Sequence, residues 1–362
     1  MTEPTSQSES SIDQRSHERK LPNAAGKRLL FYVLGLCFLL LVVMEIKARR
    51  DGYRVNYYPP STDLWVAQWL ELENSLPPDQ TVVIGASRMQ FGVIVPEWSK
   101  LTGKSLHMLA FPGSPPGPVL EKLAELETFH GTVICGFAPP FSFSHEDTPN
   151  RDRMKDNFKA IEPSRYSLTH HLSLAASDFL IPKFKFMNSF AYSPVLLSYS
   201  YWPIPNRDGT VIPAVFPFAG SLDRDLQFRF ARNVREIMRY EIVAQIQEGT
   251  RRIIGHYGTS NIDSLLKRYK DAVAKIESRG GKVIFVRPPS DGRFLAFERK
   301  HNPRDKFYDR IVNETGCFGV HFEDYPELEE LQCLEDSHLD VEDGLKFTRR
   351  LVKILQQENL ID

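Results

Sequence analysis

Five short apolar runs, at residues 81–84, 106–110, 132–137, 282–286 and 319–322, are separated by stretches with helical periodicity. A strand that is apolar throughout needs cover on both faces, and strands joined by helical crossovers run parallel. The alternation therefore restricts the chain to an α/β fold with a parallel sheet clothed by helices. The clearest helix precedes the fourth run. Ser260 and Asp263 form a capping box, Leu265, Leu266, Tyr269, Val273 and Ile276 share one face, and Gly280-Gly281 ends it. A last helix, about 341–357, turns Leu345, Thr348, Leu351, Val352 and Leu355 inward.

One segment has a different solvent. Residues 29–44, "LLFYVLGLCFLLLVVM", carry no charge and are flanked by Lys27-Arg28 and by Lys47, Arg49 and Arg50. With Glu45 and Ile46 the run reaches the length needed to cross a bilayer at ~1.5 Å per residue. A cleaved signal peptide is the runner-up, but "EIKARRDGY" offers no small-x-small cleavage site. The organisation expected is a polar, Ser-rich tail at 1–26, an anchor at 27–48, a linker at 49–80 and an α/β domain from 81 to 362. The linker holds a short amphipathic helix, about 62–76, read as a collar on the domain. Basic residues lie on both sides of the span, so charge hardly decides orientation; a short tail inside and a large extracytoplasmic domain is the simpler single-pass arrangement.

The formal net charge of −1 gives no global field that argues for nucleic acid. Of the four cysteines, only Cys317 and Cys333 are close enough in sequence to suggest a disulfide, with buried free thiols as the alternative. No Cys-x-x-Cys spacing occurs, and neither a metal nor a cofactor is expected. A long insertion, about 141–254, is rich in Phe, Tyr and Pro and then reads as helical from Asp223 onward. Insertions of this size in α/β folds decorate the carboxyl ends of the strands, where ligands bind.

Ser87 follows the first run in "VIGASRMQFG", which places its hydroxyl at the carboxyl edge of the sheet. A capping turn is the bland alternative. Near the other end, "CLEDSHLDVEDG" puts His338 just before the last helix, three residues after Glu335 and two after Asp336. A serine hydroxyl needs a base to take its proton, and the base needs a carboxylate to fix its tautomer. One acidic-x-x-His loop can provide both.

A Ser after the first strand, a Gly in the loop after the second and an acidic-x-x-His loop before the last helix resemble the SGNH (GDSL-type) hydrolase and acyltransferase superfamily. They resemble most its membrane-anchored, envelope-facing members, relatives of the D-alanine transfer and alginate O-acetylation proteins. The resemblance implies a flavodoxin-like, three-layer sheet, with Ser87 as nucleophile, His338 as base and Glu335 as orienting acid, Asp336 being the fallback. It implies Gly113, in "AFPGSPP", as an oxyanion donor through its N–H, and Arg287, in "FVRPPSDGRF", beside the cleft. Two positions depart from the pattern. Ala86 stands where an Asp usually precedes the Ser, and "CGFAPP", Cys135 to Pro140, lacks the Asn of a Gly-x-Asn block. Since one oxyanion donor can be worth ~10²–10³ in rate, Arg88 or another group replaces it, or turnover is slow or lost.

Two function classes follow. The first is an esterase or O-acyltransferase working through an acyl-enzyme on an envelope polysaccharide. The second is a catalytically lapsed domain that binds a polymer or recruits a membrane-embedded acyltransferase. A nucleotide-binding sheet is the weakest reading, because both Gly-rich phosphate motifs are missing. Three other stretches read as ordinary structure. His170-His171 is expected on a solvated helix face, 145–156 as an exposed charged loop, and the aromatic stretch 190–205 as packing within the insertion or, alternatively, a sugar-stacking or membrane-proximal surface.

Overall fold

The computed structural model describes residues 24–50, 52–57, 60–143, 149–188, 220–230, 262–334 and 336–361. Two compact units are separated at Asp51/Gly52. The first holds helix α1 (Ala24–Arg50), with an apolar stretch from Gly26 whose mean hydropathy is 2.7. It is long and apolar enough to cross a membrane.

The second unit begins, in regular structure, with α2 (Thr62–Asn74). The Ser61 hydroxyl accepts from the Leu64 N–H to start it. The expected collar is in fact core. Trp65 and Trp69 are buried and stacked at 5.8 Å, and the Trp65 indole N–H donates to the Leu109 carbonyl at 3.0 Å. Strands β1 (Thr81–Ile84), β2 (Leu106–Met108) and β3 (Thr132–Gly136) alternate with α3 (Ser87–Gly92), α4 (Val95–Thr102) and α5 (Gly117–Glu125).

The insertion then supplies α6 (Pro139–Ser142), α7 (Pro149–Arg165), α8 (Leu168–Leu180) and an antiparallel pair, β4 (Gly220–Leu222) with β5 (Phe228–Phe230). The chain returns through α9 (Ile262–Glu277), β6 (Lys282–Arg287), α10 (Gly292–His301), α11 (Tyr308–Thr315), β7 (Phe318–His321), α12 (Pro326–Glu329) and α13 (Val341–Gln357).

The main sheet has the order β2-β1-β3-β6-β7 and every pair is parallel. Counting its strands along the chain gives 2-1-3-4-5, so the winding reverses beside β1. The helices sort into two packed groups, one of α5, α9 and α11, the other of α3, α4 and α13. Val82, Val83 and Ile84, like Ile134 and Phe285, are fully buried, as strands enclosed on both faces must be.

Several expectations need correction. Much of 145–156 is not a loop: from Pro149 it is α7, held because Met154 and Ile161, seven residues apart, are buried along one stripe. Residues 223–230 are not helical. They form the turn and second strand of a hairpin, because Phe228 and Phe230 alternate to one buried face. The aromatic stretch 190–205, the remainder of the insertion to 254 and the cap residue Ser260 lie outside the described residues. Cys317 and Cys333 are free, buried thiols rather than a disulfide.

Candidate functional site

Ser87 is the first residue of α3, two past the glycine that ends β1's run. Gly85 has φ +134, and a Cβ there would lie 2.7 Å from the Gly136 carbonyl oxygen. A side chain at 85 would therefore push β1 and β3 apart just where the chain turns to present Ser87. The end of α3 is fixed by α13. The buried Thr348 hydroxyl donates to the Gly92 carbonyl at 2.9 Å and accepts from the Ile94 N–H at 2.8 Å. Ser87 is half-buried at the carboxyl edge of the sheet, next to the reversal of winding, where open α/β sheets place ligands.

His338 reaches the same point from 251 residues away. Its Nε2 lies 2.7 Å from Ser87 Oγ. The loop that carries it is pinned by the Leu334 N–H donating to the His338 carbonyl at 2.9 Å and by an antiparallel bridge between Cys333 and Leu339. The ring packs on Phe91, 4.7 Å between centroids, and Phe91 in turn packs on Phe228 and Phe230 of the insertion hairpin. Two buried glutamines tie the same hairpin to α3: Gln90 donates to the Leu226 carbonyl at 2.8 Å, and Gln227 donates to the Gln90 carbonyl. With the ring proton on Nδ1, Nε2 accepts the Ser87 hydroxyl hydrogen, which is the arrangement general-base activation needs.

Glu335 lies outside the described residues. Asp336 takes a left-handed backbone, φ +62, and its Oδ2 accepts from the Arg293 N–H at 3.1 Å, while its carbonyl accepts from the Asp291 N–H at 2.9 Å. Its carboxylate thus holds the first turn of α10, where the helix dipole favours negative charge. Gly113 has φ +68 in a turn closed by the Ser114 N–H donating to the Phe111 carbonyl, and the Phe111 N–H donates to Gly85 at 2.9 Å. That second bond fastens the Gly113 loop to the turn carrying Ser87. At the missing Asn position, the Ala138 N–H donates to Ser142 Oγ at 3.0 Å.

Arg88 and Arg287 are both buried and share one carboxylate. Arg88 Nη2 lies 2.8 Å from Glu298 Oε1, and Arg287 Nη2 lies 2.6 Å from Glu298 Oε2. Arg88 also donates through Nε to Ser337 Oγ at 3.2 Å and lies over the Phe294 ring, and Ser290 donates to Glu298 Oε2 at 2.7 Å. Burial pushes the Arg287 pKa down to about 10 despite the opposing pull of Glu298, and the like charge of Arg88 adds to the lowering. This Arg–Glu–Arg cluster joins the residue after Ser87 to the residue before His338. Glu298, Ser337 and Phe91 are not singled out by sequence. The single hint is that Phe294 and Glu298 are four apart, and so share the inner face of α10.

His170 is not solvated. It is buried, with Nδ1 3.4 Å from Asp63 Oδ1, whereas His171 is exposed and contacts the Arg165 carbonyl at 3.0 Å. Compared with known proteins, the chain matches no family model, no curated protein and no solved structure.

Proposed function

We propose that this chain is a membrane-anchored, SGNH-like serine esterase or O-acyltransferase that acts on an acylated envelope polysaccharide from an extracytoplasmic domain. The observation that carries the reading is the 2.7 Å separation of Ser87 Oγ and His338 Nε2 at the rim of a parallel sheet. The 2-1-3-4-5 strand order supports a flavodoxin-like sheet with its site at the reversal point. The apolar helix α1, long and apolar enough to cross a membrane, supports an anchor.

In this mechanism Ser87 Oγ attacks the carbonyl carbon of an ester or thioester as His338 Nε2 takes the hydroxyl proton. The Ser87 N–H, which opens a helix and has no intrahelical acceptor, and the Gly113 N–H hold the oxyanion. Collapse expels the alcohol or thiol, which leaves with the proton from His338. A sugar hydroxyl or water then repeats the steps in reverse on the acyl-enzyme. Glu335 orients the imidazole, with Asp336 as the alternative. Arg88, held by Nε to Ser337 and with Nη2 beside Glu298, keeps a buried Nη1 that has no hydrogen-bond partner among the described residues, so it stays the candidate for the substitute oxyanion donor.

A second reading, a lapsed domain that holds polymer or recruits a membrane-embedded acyltransferase, is favoured by Ala138. That position has no amide side chain, and its N–H is already bound to Ser142. Labelling by a fluorophosphonate probe separates the two. The enzyme reading requires that wild type be labelled and Ser87→Ala be inert. Folded wild-type protein that never reacts would leave the lapsed reading standing.

A further inference from the structure

Outside α1, the large hydrophobic side chains exposed among the described residues are Leu101 and six lying between 166 and 187: Tyr166, Leu168, Leu172, Phe179, Phe184 and Met187. Three of these form a stripe. Leu168, Leu172 and Phe179 are separated by four and seven residues on α8, which puts them on one side of the helix. The opposite side is the one attached to the domain. His170 is buried against Asp63 of α2, and Leu174, Ser177 and Ile181 are half-buried. The usual amphipathic arrangement is therefore inverted along the outward face: α8 turns its bulkiest apolar residues away from the core that α2 belongs to. Three large apolar side chains exposed along one helix face are a contact surface rather than scattered surface residues.

What lies against it follows from where α8 is fastened. The Asn188 amide donates to the Arg54 carbonyl at 3.1 Å, and the Tyr57 hydroxyl donates to Asp178 Oδ1 at 3.3 Å. Arg54 is four residues past Arg50, the last residue of α1. A fully extended chain of four residues covers at most ~14 Å, so covalent length alone keeps this attachment point near the end of the apolar helix. Lys183 and Lys185 follow the stripe, with Lys183 Nζ 3.3 Å from the centre of the Phe179 ring. Apolar stripe, aromatic residues and adjacent lysines are the makings of a helix that lies in the headgroup layer of an anionic bilayer.

We infer that the outward face of α8, with the turn that follows it, docks on the membrane surface and holds the catalytic domain against the bilayer. The inference rests on the reading of α1 as an anchor. The bilayer is the occupant that the short tether and the lysines both select.

The test uses the full chain in Cys37→Ser form, since Cys135, Cys317 and Cys333 are buried. Single cysteines at Leu172→Cys, Phe179→Cys and, as the exposed control on α13, Lys353→Cys carry an environment-sensitive nitrobenzoxadiazole label. The protein is reconstituted in phosphatidylcholine/phosphatidylglycerol vesicles containing lipids spin-labelled near the headgroup. Docking predicts blue-shifted emission and several-fold stronger lipid quenching at 172 and 179 than at 353. Equal quenching at all three, with water-like emission, overturns it. Blue-shifted emission without lipid quenching also overturns it, by showing protein against the stripe. Protein that does not float with the vesicles removes the anchor and the docking face together, whereas flotation with water-exposed labels removes the docking face alone.

Discussion

His338 and His321 are equally buried, at 5% exposure each, yet the fold uses them in opposite ways. His321, at the end of β7, is wedged between Tyr308 and Phe322 and turns Nδ1 to the Glu323 N–H at 3.3 Å. Burial first, and then the cations Arg287, Arg304 and Arg299, push its pKa down to about 2. It is locked neutral, a packing residue that accepts one backbone hydrogen bond. His338 packs on Phe91 and turns Nε2 to a hydroxyl. The lesson is that burial does not make an imidazole a base; the group its free nitrogen faces decides what it can do.

Several substitutions break or sharpen this contrast. The largest effect is on chemistry. His338→Gln is expected to slow fluorophosphonate labelling of Ser87 by about 10⁴-fold or more, the scale seen when a Ser–His unit loses its base. His321→Gln should leave the labelling rate within a few-fold, and a comparable collapse there would erase the distinction.

Next in size is the ion cluster behind the pair. Glu298→Gln leaves Arg88 and Arg287 buried without their shared anion and should cost about 3–5 kcal/mol in denaturant unfolding. Replacing all three by apolar residues (Arg88→Met, Arg287→Met, Glu298→Leu) should restore most of that stability, because no charge is then left unpaired. If the triple variant is as unstable as the single one, the cluster is not held by charge pairing.

His321 makes a prediction about acid. Its folded pKa of about 2 lies below the unfolded value of ~6.5. The unfolded chain therefore binds this proton more readily. The contribution is fully present above pH ~6.5 and is lost as pH falls from there toward 2, with a slope of at most ~1.4 kcal/mol per pH unit. Urea midpoints measured across pH 4–7 should fall less steeply for His321→Gln than for wild type. The smallest effect belongs to Ser337→Ala, which removes the acceptor of Arg88 Nε and should cost about 1 kcal/mol. A loss well beyond that would mean that Ser337 holds the His338 loop by more than this bond.

Where the sequence was legible, the reason is local. The run at 81–84 is β1 to the residue, and 341–357 is α13 to the residue, because burial of a strand or of one helix face writes itself into neighbouring positions. Of the inner face expected for α13, Thr348, Leu351, Val352 and Leu355 are buried, and Phe347 takes the place of Leu345, which is half-buried. The departures from local pattern have local causes too. In α7 the charges of "NRDRMKDNFK" mask the stripe through Met154 and Ile161. Around 223–230, acidic and basic residues hide the two-residue alternation of Phe228 and Phe230.

By itself the sequence determined a helix able to cross a membrane and an α/β domain whose strands run parallel, since composition and periodicity report directly on which solvent each residue meets. Only the tertiary structure decided which polar groups meet. Ser87 and His338 stand 251 positions apart, Arg88 and Ser337 stand 249 apart, and Glu298 pairs with both Arg88 and Arg287. Such pairings have no period along the chain. They arise when the sheet closes and brings the end of β1, α10 and the loop before α13 to one edge, where desolvation makes each buried charge find its partner.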